Sequence, residues 1–198
     1  QAPQQITPAE PEQTGERRLE VPGNAVPADA IYKVYHMGAR NSDNFYICDI
    51  ISDILSNGQS SRLYVNLIKN SNLFSGIDAY VSGDTDPGLF IFSGKLSEGT
   101  DIREAEKAIL DEIDKFIRDE ITERDVQKVI NKTEARISYS EINYQSKASN
   151  LAFFEFLGNI DLINAEGSRY AEVTTAKIKE TASRLFRPEN CSTLCYLK

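Results

Sequence analysis

The chain has 198 residues, 40% of them hydrophobic and 26% charged, with a net charge of −8. That length and balance describe a folded domain with a sizeable core, not a disordered segment. The acidic balance argues against nucleic acid or an anionic membrane surface as partner, since both call for a basic patch; no apolar run reaches the roughly 18 residues of a membrane span.

Residues 1–16, QAPQQITPAEPEQTGE, are rich in Pro, Gln and Glu and nearly free of large apolar side chains. Such a stretch buries too little surface to fold and is expected to be a linker. No signal-peptide pattern is visible; a linker in a chain that begins with Gln1 and not Met leads to the expectation of a further domain upstream, with residues 17–198 as the domain in hand. RRLEV, bounded by Pro22 and Gly23, predicts a strand. DAIYKVYHMG, with Ile31, Tyr32, Val34 and Tyr35 among polar residues, predicts another. Ser42 is placed to cap a helix carrying Phe45, Cys48, Ile51 and Leu55 at three-to-four spacing. A second helix is expected from about Ser60 to Asn70, with Leu63, Leu67 and Ile68 on one side. LFSGIDAYVSG and GLFIFSGKLSEG flank DTDP, which predicts an antiparallel hairpin.

The second half reads as helical. Thr100 is the expected cap of a helix bearing Ile102, Ala105, Ile109, Ile113 and Phe116, and Thr122 the start of one bearing Val126, Val129 and Ile130. Residues 143–158 contain ASNLAFFEFLG, the most apolar stretch, expected to be a helix buried on more than one side. Thr174 opens a last helix to about Phe186; Pro188 stops it, and CSTLCYL returns as a strand. The order predicts an α+β fold, a mainly antiparallel sheet with helices packed on one face.

Little in these residues carries chemistry. A zinc centre needs three or four converging ligands, and the chain has one histidine, His36, in a predicted strand. Gly-x-Ser-x-Gly and P-loop patterns are absent. GDTDPG lacks the ligand spacing of a calcium loop and reads as a turn. The acidic residues of DEIDKFIRDE fall opposite an apolar stripe, as on a solvated face. Tyr32, Tyr35, Phe45 and Tyr46 read as core or interface. Cys48 reads as core; Cys191 and Cys195 lie on one side of a strand, about 13 Å apart and too far to bridge. An odd count of unpaired thiols favours a reducing compartment, with the cytoplasm expected ahead of the periplasm or an organelle.

The stretch VYHMGARNSDNFYICDIISDILSNGQSSRLYVNLIKNSNLFSGIDAYVSGDTDPGLFIFSGKLSEG resembles the pitrilysin/insulinase family of zinc peptidases, which includes the mitochondrial processing peptidase. The family pattern is a strand, a helix ending in IL, a glycine-containing turn, SSRL, an amphipathic helix and a hairpin with GLF. EITERDVQKVINK looks like the family's following helix, and EPEQTGERRLEV like its inter-domain linker and first strand. The resemblance runs from about residue 10 to the end. It implies the second, metal-free domain of a peptidase unit whose first domain holds His-x-x-Glu-His. Zinc is then expected in an upstream domain and no metal in this one, which alone is expected to be inactive.

Ser60, Ser61, Arg62 and Leu63 match the family motif in a structural role. Second domains that assist catalysis carry Arg directly after the Leu of SSRLxxxL and Tyr seven residues later, a pair that binds the substrate carbonyl. The matching positions here are Ile68 and Ser75, which cannot take that role, so no catalytic residue is expected in this chain. The resemblance implies a zinc metalloendopeptidase as the parent, with this domain walling a chamber for peptide substrates and a homologous partner subunit supplying the missing pair. The alternative is a non-catalytic scaffold or assembly subunit, like the core subunits of the mitochondrial respiratory complex that resemble this family.

Overall fold

The computed structural model describes residues 11–23, 27–83, 85–119 and 121–198. The first ten linker residues and Asp84 of the GDTDPG turn lie outside them. Five strands form one mixed sheet in the order β1-β5-β2-β4-β3: β1 (Arg17–Pro22), β2 (Ala30–His36), β3 (Phe74–Val81), β4 (Leu89–Leu96) and β5 (Cys191–Leu197). All neighbours are antiparallel except β1, which runs parallel to β5.

Alternation decides which side is buried. Ile31 and Tyr35 of β2, Phe90, Phe92 and Leu96 of β4, and Cys191 and Cys195 of β5 all point into the core. The other side keeps half-buried Tyr32, Val34, Ile91 and Leu194. On the buried side Phe186 stands edge-on to Tyr35 and Phe90, with ring centroids 5.1 Å apart in each case, and tilted against Phe92 at 5.6 Å. Phe186 ends α6 (Thr175–Leu185), so this ring cluster pins that helix across the middle of the sheet. The helix α1 (Asp43–Ser56) buries Phe45, Cys48, Ile51 and Leu55 as its spacing predicts, and its Ser56 hydroxyl donates to the carbonyl of Ala79 on β3 at 2.7 Å.

Remaining helices are α2 (Ile102–Arg118), α3 (Glu123–Ile142), α4 (Tyr144–Phe156) and α5 (Leu162–Ala171). Asp101, not Thr100, caps α2: its carboxylate accepts from the N–H groups of Arg103 and Glu104 at 2.7 and 3.3 Å, an acceptor that also suits the positive end of the helix. Thr122 caps α3 in a reciprocal box with Asp125. Ser42 does sit at the start of α1, but its hydroxyl donates back to the Ala39 carbonyl instead. Among the described residues no helix is long and apolar enough to cross a membrane.

Three expectations are corrected. The apolar stretch in α4 is not buried on several sides: Phe154 alone of that helix is in the core, while Phe153 is 38% and Phe156 74% exposed. The helix folds back on α3 at the Asn143 turn and packs mainly against α3 and α5, so little of its surface finds a partner. Within DEIDKFIRDE, Glu112 is 2% exposed. It is held by Asn66 and Lys115 at 2.7 and 2.6 Å, so that helix face is not wholly solvated. Finally, α5, which contains Gly167, was not expected as a helix at all; Leu162 and Tyr170 anchor it.

Candidate functional site

The segment Ser60–Ser75 turns from α1 into a short helix and then into the edge strand β3. The helical backbone begins at Arg62 and is π-wound over Tyr64–Asn70, a widened helix that recurs at functional sites. Leu63 is fully buried. Arg62 lies 5.5 Å from the Phe116 ring centroid and 3.5 Å from Asp119, both near the end of α2. Ser60 accepts from Lys128 of α3 at 2.9 Å. The SSRL segment therefore ties this helix to α2 and α3. The Ser61 hydroxyl is buried and has no partner among the described residues.

The exit from the helix is sharp. Asn72 has φ 54°, a left-handed conformation that asparagine tolerates better than most residues, and the Leu73 N–H returns to the Leu67 carbonyl at 3.1 Å. Pairing with β4 then slips between Phe74 and Gly76. This bulge puts both Phe74 and Ile77, three residues apart, on the buried side. Ser75 is the extra residue, exposed on the edge strand, its hydroxyl 3.2 Å from the Lys95 carbonyl and 3.4 Å from that of Leu96. Ile68 is half-buried and packs against the core. Ile68 thus offers only hydrocarbon, and the Ser75 hydroxyl is directed at its own sheet.

Two buried cations escaped the sequence reading. Lys33, 1% exposed, donates to Glu106 at 2.9 Å and Thr193 at 2.8 Å, with Glu16 at 3.4 Å. Burial, the largest single influence, pulls the Lys33 ammonium down, but its hydrogen bond to Glu106 and the surrounding negative charge together outweigh it and the net shift is upward. For Glu106 burial pushes up, and the hydrogen bonds from Arg18 and Lys33 hold the carboxyl below its ordinary range. Gln13 adds a bond from its side chain to the Cys191 carbonyl at 2.6 Å, so residues 13–18 are laid along β5. The signal was available: Lys33 shares the parity of Ile31 and Tyr35 in β2, so alternation turns it inward.

Arg40, 8% exposed, pairs with Glu166 at 2.5 Å and donates to the Tyr46 hydroxyl at 3.2 Å, with the Phe45 ring 4.3 Å away. Its partner is 126 residues on in the chain, which no local pattern reveals. Among the described residues no group of three or more His, Cys, Asp or Glu side chains is placed to hold a metal ion. His36 is exposed at the end of β2, and the three cysteines are buried free thiols.

A family model described as the peptidase M16 inactive domain matches residues 1–133, more than half of the chain. The chain belongs to that family. Solved structures share the fold of this inactive domain at low identity. A protease from Helicobacter pylori superposes with a TM-score of 0.89 at 18% identity, over 95% of this chain and 46% of that one. The inactive peptidase domain of a candidate zinc protease from Bordetella parapertussis gives 0.80 at 19%, over 88% and 93%. A chain of complex III2 from Candida albicans gives 0.77 at 14%, over 92% and 45%. The inactive domain thus spans just under half the length of the first and third of these chains. No curated protein matches it.

Proposed function

We propose that the chain is the metal-free second domain of a two-domain peptidase unit, with residues 1–16 as the linker from an upstream zinc-bearing domain. In this reading the parent is a zinc metalloendopeptidase, and the inactive domain walls the substrate chamber and carries inter-domain and inter-subunit contacts. Its membership of the inactive-domain family is the observation that carries the proposal. A neighbour about twice its length supports a longer parent. Three buried free thiols support a reducing compartment such as the cytoplasm.

The chemistry at Ile68 and Ser75 then defines what the parent needs. A developing oxyanion is stabilised by donors aimed at it; Ile68 has none, and Ser75 is engaged with backbone carbonyls. A homologous partner subunit whose second domain keeps Arg and Tyr at these positions would supply the pair. The test is peptide hydrolysis by the full-length parent, alone and with that partner. Because one lost transition-state donor costs about 100-fold or more, the partner should raise turnover by at least that factor; full activity without it would end the heterodimer reading.

The second reading is a non-catalytic scaffold or assembly subunit. Likeness to a chain of complex III2 favours it, as does the absence of polar donors at Ile68. A parent that binds no zinc and forms a stable complex with a homologous subunit would select it.

A further inference from the structure

A polar cleft of about 290 Å³ opens between α1, α3 and α5, away from the Ile68–Ser75 segment. One wall is α1, which presents Asp49 and Asp53, one turn apart. The facing wall is α3, which presents Lys132 and Arg136, also one turn apart. Opposite charges on facing helices ordinarily close into ion pairs. Here no pair within 4.0 Å joins the two walls among the described residues, although Arg136 is near enough to Asp49 to favour its charged form. Arg40 at the floor is already neutralised by Glu166.

The acidic wall is a built arrangement. Tyr170, 1% exposed, donates to Asp49 at 2.6 Å and so fixes one carboxylate oxygen while leaving the other without a partner among the described residues. The Asn57 amide does the same for Asp53. Thr133, on the opposite wall, is 3% exposed and lines the cleft, and its hydroxyl makes no hydrogen bond among the described residues. Two oriented carboxylates, two cations and an unused hydroxyl thus surround a space just below the roughly 300–1,000 Å³ of common ligand pockets.

We propose that this cleft binds a small zwitterion, a free amino acid or dipeptide, with its ammonium against Asp49 and Asp53 and its carboxylate against Lys132 and Arg136. A ligand bearing both charges completes the two half-pairs at once, which neither an anion nor a cation alone can do. The size of the space admits one or two residues and excludes a long peptide. Binding here requires neither zinc nor a peptidase parent, so its failure and the failure of the chamber reading are separate results.

The test is calorimetric titration of the 198-residue chain with L-alanyl-L-alanine, its N-acetyl form and its C-terminal amide. Each charge-assisted contact contributes about tenfold or more in affinity, so blocking either end should weaken binding at least tenfold. Arg136→Gln, an exposed change, should weaken the free dipeptide by a similar factor and leave its amide unaffected. Asp53→Asn should do the converse with the N-acetyl form. Absence of any binding at millimolar dipeptide, or equal binding of all three ligands, would overturn the proposal without recourse to the variants.

Discussion

Replacing Glu106 by Gln tests whether the buried charge cluster organises the start of the domain. Lys33 is 1% exposed and loses its principal counter-charge in this variant, while Glu16 stays at 3.4 Å with a side chain 44% exposed. Removing one partner of a buried pair costs about 3–5 kcal/mol because the other charge is left uncompensated. Glu16 and the surviving amide oxygen place Glu106→Gln near the lower end, about 3 kcal/mol. With a urea slope of about 2 kcal/mol per molar, the unfolding midpoint should fall by about 1.5 M. The double variant Lys33→Met with Glu106→Gln removes both charges and should recover most of that loss.

The pH dependence follows from the directions of the two shifts. The Glu106 carboxyl is held low, so its stabilisation is present above the unfolded value of about 4.3 and is lost as pH falls through its folded value. The Lys33 ammonium is raised, so its share is present below the unfolded value of about 10.4 and is lost only as pH rises through its folded value. Both shares are intact at neutral pH, and Glu106→Gln should flatten the acid limb. A single variant within about 0.5 kcal/mol of the unmutated chain, or a double variant worse than the single, would show that Glu106 does not hold a buried charge.

Gly94 lies beneath Phe74, and a Cβ there would stand 2.5 Å from the ring. Gly94→Ala should therefore lower stability by about 1–3 kcal/mol in the same urea titration. Thr122→Ala removes the α3 cap and should cost about 1 kcal/mol. Ser61→Ala removes a buried hydroxyl without a partner and should leave the unfolding midpoint unchanged or raise it. Burial, reinforced by Asp53, pushes the Asp49 carboxyl up despite the hydrogen bond from Tyr170. Ionised Asp49 therefore weakens the fold as pH rises through its folded value, and Asp49→Asn should be stabilising at pH 7 but not in acid.

The strands were legible because one sheet face is buried and the other half-open, so alternation in β2, β4 and β5 survives in the composition. Capping was legible only in part: Thr122 is right, Thr100 misses because the adjacent Asp101 is the stronger acceptor at that helix start, and Ser42 turns its hydroxyl to the Ala39 carbonyl. The burial of α4 was not legible, since an apolar run states what a helix could bury and not whether a neighbour exists; Phe156 is left 74% exposed. Buried charges were hidden for a related reason. Lys33 meets Glu106 across 73 residues and Glu112 meets Asn66 across 46, so each pairing is created by the fold. At the motif, apolar spacing predicts the helix but not its π winding or the bulge at Ser75, because neither backbone winding nor strand register is carried by that spacing.

As proposed, this domain is the metal-free half of a zinc peptidase. Metal content and peptide cleavage, measured side by side on the full-length parent and on the 198-residue chain, test it most directly. The parent is expected to hold stoichiometric zinc and, in the presence of the partner subunit, to show chelator-sensitive cleavage, and the 198-residue chain to show neither property. A parent without zinc, or chelator-insensitive cleavage by the 198-residue chain alone, would contradict it.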